Sequence, residues 1–301
     1  MTGWGHAARG VRRATLAAIG GLAMMMNANG AAGAAPLAEA KGAYVAFENA
    51  PFPYRGIIPH KDIPFIDTVE NGRAGHTSPR AGKVYWEDET FSDQRSLIYM
   101  PAGFDIDRPA VIVVFFHGNQ ATLARDVVKR QRVPQQVAKS GLNAVLVVPQ
   151  FAVDALDSSS GNFWTPGVFA KFLDEATGKI AAVYGDKSKA PVFAKLPVVI
   201  VAYSGGYNPA AFAVGVGGAE NRIRGLVLLD AVYAEEDQFA DWISANKDSA
   251  FLFSAFTKSA AANNAVLQQL LTERGTGFSR RLPSQFKPGT VVFFATDPDL
   301  V

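Results

Sequence analysis

The feature that most constrains this chain is an apolar run that ends in a serine. Residues 198–202 are Val-Val-Ile-Val-Ala, a pattern typical of a strand buried on both faces. Ser204 follows, and a segment that can begin a helix comes directly after it. Small residues at Ala202 and Gly206 let the strand and the helix approach closely. The pattern predicts that Ser204 stands on a sharp strand-to-helix turn, a nucleophile elbow; the alternative is an ordinary serine in a βα loop.

Strands and helices alternate from Arg95 to the end of the sequence. Besides the strand before Ser204, the apolar runs predict strands at 96–100, 110–116, 142–148, 223–229, 250–256 and 291–295. Predicted helices cover 121–140 with a break or restart at Pro134, 168–184, a segment from about Pro209, a segment that includes 239–243, and 264–274. This spacing predicts an α/β fold, with a mostly parallel central sheet and helices on both of its faces.

The first 35 residues have the composition of a secretory signal peptide. Arg9, Arg12 and Arg13 precede an apolar run at 14–26, and a segment rich in alanine and glycine follows. The apolar run is too short to span a bilayer. We expect cleavage near residue 35 and a periplasmic or secreted protein; the paired arginines leave the twin-arginine route open, and an uncleaved anchor is the competing interpretation.

The remaining chain has the composition of a globular protein without a strong charge. Removing residues 1–35 takes away three arginines and no acid, which leaves 26 basic against 27 acidic residues. No basic patch indicates nucleic acid as a partner. The sequence has no cysteine, and no further apolar run is long enough to cross a membrane. No motif indicates a metal or another cofactor, and the oligomeric state is not predicted.

Residues 36–94 form an irregular N-terminal leader that we expect to pack on the main domain, which covers 95–301. Prolines and glycines interrupt this segment, and only 83–86 favours a strand. A lid or an edge of the substrate site is the alternative. His60 and His76 lie here without the spacing of metal ligands, which favours a solvated or capping role.

A serine nucleophile needs a base, an acid that orients the base, and donors for the oxyanion. His117-Gly118-Asn119 follows the predicted strand 110–116. Gly118 lets the backbone of this loop turn, so the N–H of Asn119 is one candidate oxyanion donor. The N–H of Gly205, the residue after the predicted nucleophile, is the other. We expect His117, together with Gly118, to shape the loop rather than to act as the base.

The acid candidate is Asp230, which ends the predicted strand 223–229. An aspartate at that place is costly to bury without a partner, so a hydrogen-bonded role is expected. Asp297 and Asp299, just past the last strand, are the alternatives. Phe163 and Trp164 lie in a loop that follows the predicted strand 142–148, where they either wall a substrate pocket or pack beneath the loop.

Three segments together resemble the α/β-hydrolase superfamily: 111–119, 198–206 and 225–230, which occur in the order of that superfamily. Alanine replaces the first glycine of its elbow motif. The resemblance covers residues 95 to 301 and implies a serine hydrolase, an esterase, lipase or amide hydrolase that cleaves a carboxylic ester or amide of a small molecule through an acyl-enzyme at Ser204. Together with the predicted signal peptide, it implies a secreted enzyme. The chain also resembles secreted bacterial members of the superfamily whose substrate is undefined.

The base is the one part of this machinery that the sequence does not supply. The superfamily places its histidine after the acid, but the histidines of this chain are at 6, 60, 76 and 117, all before Ser204. Three explanations stay open: a C-terminally incomplete hydrolase domain that lacks its last loop and helix, a ligand-binding protein without catalysis, and a histidine supplied by the leader. An impaired serine hydrolase is the first hypothesis, and a non-catalytic binding protein on the same fold is the alternative.

Overall fold

The computed structural model describes residues 35–296, so the predicted signal peptide up to residue 34 and the alternative acids Asp297 and Asp299 lie outside the described residues. In chain order the strands are β1 Lys41–Ala46, β2 Ile57–Ile58, β3 Ile63–Pro64, β4 Thr68–Glu70, β5 Arg73–Ser78, β6 Lys83–Trp86, β7 Arg95–Met100, β8 Val111–Phe116, β9 Ala144–Pro149, β10 Val198–Tyr203, β11 Ile223–Leu229, β12 Phe251–Phe256 and β13 Val291–Ala295.

Seven α-helices and several shorter helical segments connect these strands within the described part of the chain. The α-helices are α1 Glu87–Thr90, α2 Val133–Lys139, α3 Val168–Tyr184, α4 Ala190–Ala194, α5 Tyr207–Gly215, α6 Glu236–Ala245 and α7 Ala261–Glu273. A π-helix spans Leu123–Arg130, and 3-10 turns span Gly161–Trp164, Lys187–Lys189, Ser204–Gly206 and Lys258–Ala260. In residues 35–296, no helix is both long enough and apolar enough to cross a bilayer.

The central sheet has eight strands in the order β1-β7-β9-β8-β10-β11-β12-β13. The strands from β9 to β13 along this order pair in parallel, and β7 and β1 continue the sheet as antiparallel strands. Parallel neighbours joined by helices need cover on both faces, which explains why their sequences are apolar without interruption. The predicted α/β class and its mostly parallel sheet are confirmed.

Alternate residues of the central strands point to opposite faces of the sheet. In β8, Ile112 and Val114 belong to a core that packs under α3, α5, α6 and α7, whereas Val111 and Val113 belong to a second core under the π-helix and α2. The sheet is therefore buried on both sides. This burial fixes the register of its strands, because a one-residue shift would exchange the two apolar sets.

The N-terminal segment is more regular than its composition indicates. Its first strand, β1, joins the central sheet beside β7, and β4, β5 and β6 form a separate antiparallel sheet. The residues of β1 alternate between half-buried and exposed, as expected at a sheet edge. Phe65 and Phe91 are fully buried, so this segment contributes side chains to the main core.

Candidate active site

Ser204 lies at the turn that joins β10 to α5. Its φ is +51°, a left-handed conformation that residues other than glycine rarely adopt. The 3-10 turn Ser204–Gly206 follows the strand at once, and α5 begins at the next residue. The side chain is half-buried at the carboxyl edge of the sheet, not sunk in the core. This is the backbone geometry of a nucleophile elbow.

Glycines around Ser204 allow the turn to pack against the neighbouring strand. A Cβ on Gly206 would lie 2.9 Å from the carbonyl carbon of Phe116, at the end of β8. A Cβ on Gly118 would lie 3.0 Å from Cβ of Ser204. The separation at Gly206 is shorter than real contacts of a Cβ atom, so a side chain there would require the backbone to move, and the separation at Gly118 is tighter than most real contacts. The loop after β8 is thus in direct contact with the serine.

Asn119 occupies the space beside Gly205. Its side-chain amide is assigned from the surrounding hydrogen bonds: the nitrogen donates to the carbonyl of Asp157 at 2.6 Å and to Oγ of Ser158 at 3.0 Å, and the oxygen accepts from Arg80 at 3.3 Å. The two residues predicted to supply oxyanion donors, Asn119 and Gly205, are therefore neighbours. Whether their N–H groups bind an oxyanion stays a prediction.

His117 is buried and holds the loop that carries Gly118. Its Nε2 accepts a hydrogen bond from the N–H of Phe151 at 2.9 Å, which leaves Nδ1 to donate to the carbonyl of Gly118 at 2.9 Å. Burial lowers the pKa of His117 to about 4, because the charged imidazolium is poorly solvated there. The ring is neutral, and its nitrogens are occupied by structural hydrogen bonds.

The neutral state of His117 predicts a loss of stability in mild acid. Because the unfolded chain binds this proton near pH 6.5 and the folded chain only near pH 4, the stabilisation is complete above pH 6.5 and falls as the pH drops toward 4. By pH 5 the expected loss is about 2 kcal/mol. Urea unfolding at pH 7.5 and pH 5 should show this loss in the wild type and a smaller one in His117→Gln; equal losses would contradict the assignment.

Asp230 ends β11 directly beside the end of β10 that carries Ser204. The last pair of the parallel ladder is Tyr203 with Leu229, so Ser204 and Asp230 are the next residues on both strands. Asp230 also has a left-handed backbone, with φ of +49°. Two adjacent strands therefore end in polar residues that turn at the same edge of the sheet.

The carboxylate of Asp230 accepts hydrogen bonds on both oxygens. Thr257 donates its N–H at 2.8 Å and its hydroxyl at 2.9 Å to Oδ1, while Ser259 donates at 2.8 Å and Tyr233 at 3.2 Å to Oδ2. The hydrogen-bonded role expected for Asp230 is what the geometry provides. That it orients a catalytic base stays a prediction.

Sequence reasoning missed these partners of Asp230. Thr257 and Ser259 follow β12, which is the neighbour of β11 in the sheet. The ends of neighbouring parallel strands meet at one edge, so polar residues after β12 carried a usable signal. Tyr233 has no comparable signal, because its position depends on the irregular turn between β11 and α6.

A cavity of about 460 Å³ adjoins this edge, between the N-terminal segment on one side and α5 with the loops that follow the central strands on the other. Arg80 and His60 line it from one side, Ser158 and Tyr207 from the other. Ser158 connects the cavity to the elbow, because its Oγ lies 2.9 Å from the position that a Cβ on Gly205 would take. The residue range 36–94 thus supplies one wall of the space next to the predicted nucleophile.

The two aromatic residues predicted near a pocket have different positions. Trp164 lines the cavity, and its Nε1 donates to Oδ1 of Asn208 at 3.0 Å. Phe163 is fully buried and packs against Phe116 and Phe172, so the pocket role predicted for it is not the one that the structure gives. Phe163 takes the other position considered from the sequence, beneath the loop.

The two histidines of the N-terminal segment also differ from each other. His60 is exposed at the cavity. His76 is buried and stacked on Phe65, and its Nδ1 lies 2.6 Å from the carbonyl of Phe65, which corrects the solvated role expected for it. Its Nε2 is 3.9 Å from the carboxylate of Asp157. In residues 35–296, no histidine forms a hydrogen bond with Ser204.

No protein-family model matches the chain, and no curated protein matches its sequence. Solved structures similar to it include a mutant of the feruloyl esterase module from Clostridium thermocellum complexed with sinapinate, with 12% identity, a TM-score of 0.43, and coverage of 84% of this chain and 88% of that one. The S-formylglutathione hydrolase from Agrobacterium tumefaciens has 11% identity and a TM-score of 0.38, with coverage of 76% and 89%.

Similarity at this level assigns no function and adds little to the fold that the strands already define. The fold rests on the chain's own topology: a mostly parallel sheet, helices on both faces, and a serine with a left-handed backbone on the turn between β10 and α5. The chain has the fold of the α/β-hydrolase superfamily.

Proposed function

We propose that this protein is a serine hydrolase that cleaves a carboxylic ester or amide of a small molecule through an acyl-enzyme at Ser204. The observation that carries the proposal is the conformation of Ser204, whose left-handed φ of +51° holds a half-buried hydroxyl at the sheet edge. Strained backbone of this kind costs about 1–3 kcal/mol and is concentrated at functional sites.

The reaction follows from the position of the serine. Oγ of Ser204 attacks the carbonyl carbon, a new C–O bond forms, the bond to the leaving oxygen or nitrogen breaks, and the hydroxyl proton passes to the leaving group. Water then cleaves the acyl-serine ester, which releases the acid and restores the hydroxyl. Asn119 and Gly205 are the proposed N–H donors to the oxyanion; one such donor typically contributes about 3 kcal/mol to transition-state stabilisation.

Slow turnover is part of this proposal, because no base is assigned. None of the four histidines follows Ser204 in the sequence, and a serine hydroxyl whose proton has no base to accept it is a weak nucleophile. We also propose that residues 1–35 direct export and are then removed. N-terminal sequencing of the protein recovered outside the cytoplasm tests this proposal, and a sequence that still begins at Met1 would contradict it.

A fluorophosphonate probe tests the nucleophile directly, because it forms a covalent bond with the oxygen of a serine that attacks its phosphorus; without an assigned base, we expect this labelling to be slow. We expect mass spectrometry of the labelled, full chain to place the adduct on Ser204. The exposed Ser92 offers a matched control, since Ser92→Ala should retain labelling. An adduct on another serine, or the absence of any adduct, would contradict the proposal.

A ligand-binding protein without catalysis is the second candidate, and the cavity beside Trp164 favours it. That candidate predicts ligand binding with no ester turnover. Release of p-nitrophenol from a p-nitrophenyl ester, at a rate above that of buffer and lost in Ser204→Ala, would exclude it.

A further inference from the structure

We propose that Arg80 recognises an anionic group, a carboxylate, on the acyl part of the substrate. This inference rests on the proposed function and names the class of substrate for the same site. It is carried by three observations: the place of Arg80 in the cavity, its lack of a carboxylate partner among residues 35–296, and its contact with Asn119.

Arg80 differs from the other arginines of the N-terminal segment. Arg55 forms an ion pair with Glu87 at 2.6 Å, and Arg73 forms one with Asp88 at 2.7 Å. Arg80 is exposed on the cavity wall and has no ion pair in the described part of the chain. Its planar guanidinium therefore has donors available for a carboxylate, which it can bind with two parallel hydrogen bonds.

The position of Arg80 relates this charge to the reacting centre. One of its nitrogens, Nη1, is 3.3 Å from the side-chain oxygen of Asn119. The side chain of Asn119 in turn lies against Gly205, the residue after Ser204. The guanidinium is thus one side chain away from the predicted oxyanion donors, on the cavity side, where an acyl group of a few carbons would place its far end.

The carboxylates of the cavity have other partners. Asp67 accepts hydrogen bonds from the N–H and hydroxyl of Thr77, and Asp157 accepts one from the N–H of Ser159 at 2.8 Å. Glu235 accepts hydrogen bonds from the side-chain amides of Asn208 and Gln238.

These three acids lower the affinity of the cavity for anions in general, and Lys61 offsets one of them. Recognition of a carboxylate therefore has to come from direct contact with the guanidinium rather than from the net charge of the wall. The consequence is specificity for an anion at one position, not a general attraction for acids.

Paired esters test this proposal. The probes are mono-p-nitrophenyl glutarate, which carries a carboxylate on its acyl chain, and p-nitrophenyl valerate, a neutral ester of the same length. In Arg80→Gln we expect kcat/KM for the glutarate ester to fall about tenfold, mainly through KM, with less than a twofold change for valerate. Arg80→Lys should recover part of the loss, because it restores the charge without the planar fork.

A control variant and the neutral ester separate recognition of the carboxylate from a structural role of Arg80. Lys129→Gln removes an exposed positive charge outside the cavity and should leave the ratio of the two esters unchanged. Arg80 also contacts Asn119, so a merely structural role would lower kcat for both esters equally. An equal loss for both esters in Arg80→Gln would overturn the proposal.

A binding measurement decides the matter if neither ester is hydrolysed, an outcome that would count against the proposed function alone. The probes are 5-oxohexanoate and the neutral 2-hexanone, which are ketones and cannot be hydrolysed. Titration calorimetry should show tighter binding of 5-oxohexanoate to the wild type, weakened about tenfold in Arg80→Gln. Equal dissociation constants for wild type and variant would overturn the role of Arg80 independently of catalysis.

Discussion

Replacing Ser204 with glycine is expected to abolish hydrolysis and to make the protein more stable than the corresponding alanine variant. Ester turnover should fall to the buffer rate, because the attacking oxygen is gone. The φ of +51° at this position costs an alanine or a serine roughly 1–2 kcal/mol, and costs glycine almost nothing. Both variants lack the hydroxyl, so their difference in stability reports the backbone strain together with the difference in conformational entropy between glycine and alanine.

The size of that difference can be bounded. Glycine also loses more conformational entropy on folding, by roughly 0.4–1 kcal/mol relative to alanine. We therefore expect Ser204→Gly to exceed Ser204→Ala by about 0.5–1 kcal/mol in the free energy of unfolding, measured by urea denaturation. A Ser204→Gly variant less stable than Ser204→Ala by roughly 0.4–1 kcal/mol would indicate an unstrained turn, and hydrolysis that survives in either variant would exclude Ser204 as the nucleophile.

The backbone strain at Ser204 is evidence for a function of its side chain. A serine in the left-handed region is less stable there than glycine, and the structure retains it because burial of β10 and the contact of Gly118 with Ser204 hold the turn. Because glycine would be the more stable residue at this place, the presence of serine indicates that its side chain has a function. A gain of stability that accompanies the loss of activity is the expected signature of a functional residue.

The central sheet could be predicted from sequence because its strands are continuous apolar runs. The bounds predicted for β11 and β13, and for α3, agree with the structure. Strand β1 could not be found in this way: its side chains alternate between half-buried and exposed, and Tyr44 is 44% exposed. The pairing with β7 that makes it a strand is a long-range contact that local sequence does not encode.

The predicted helix at 121–140 shows how local irregularity escapes sequence patterns. The structure divides it into the π-helix and α2, with Arg132 between them in a left-handed conformation at φ of +57°. Pro134 lies in the first turn of α2, where its missing N–H is not needed, so the restart considered from the sequence is the observed outcome. The π-helical form has no signal in the apolar periodicity.

The candidate site likewise contains residues that the sequence could place and residues that it could not. Ser204 and Asp230 could be placed together, because both end predicted neighbouring strands of a parallel sheet. Arg80 and His76 could not be placed, because they belong to the N-terminal segment, whose fold depends on tertiary contacts. His76 contacts Phe65 and Asp157, and Arg80 contacts Asn119. Sequence patterns therefore predicted the part of the site that the sheet carries, and missed the wall that the N-terminal segment adds.

Replacing Gly206 with alanine is expected to destabilise the protein by about 3 kcal/mol and to slow labelling of Ser204. The added Cβ would lie 2.9 Å from the carbonyl carbon of Phe116 and 3.1 Å from its Cβ. The backbone of β8 is fixed by its pairing with β9 and β10, so it cannot move aside as a flexible side chain would. The turn that carries Ser204 has to shift instead.

Gly178 provides the matched control for this substitution. It lies in the middle of α3, it is exposed, and no atom is within 4 Å of the position that a Cβ would take. Gly178→Ala should therefore stabilise the protein by roughly 0.5–1 kcal/mol, because alanine is the better helix former. Because the same chemical change has opposite expected signs at the two sites, an effect of composition alone cannot explain both. A Gly206→Ala variant as stable as the wild type would show that the strand and the elbow do not approach as closely as described, and the position of the Ser204 hydroxyl would lose its support.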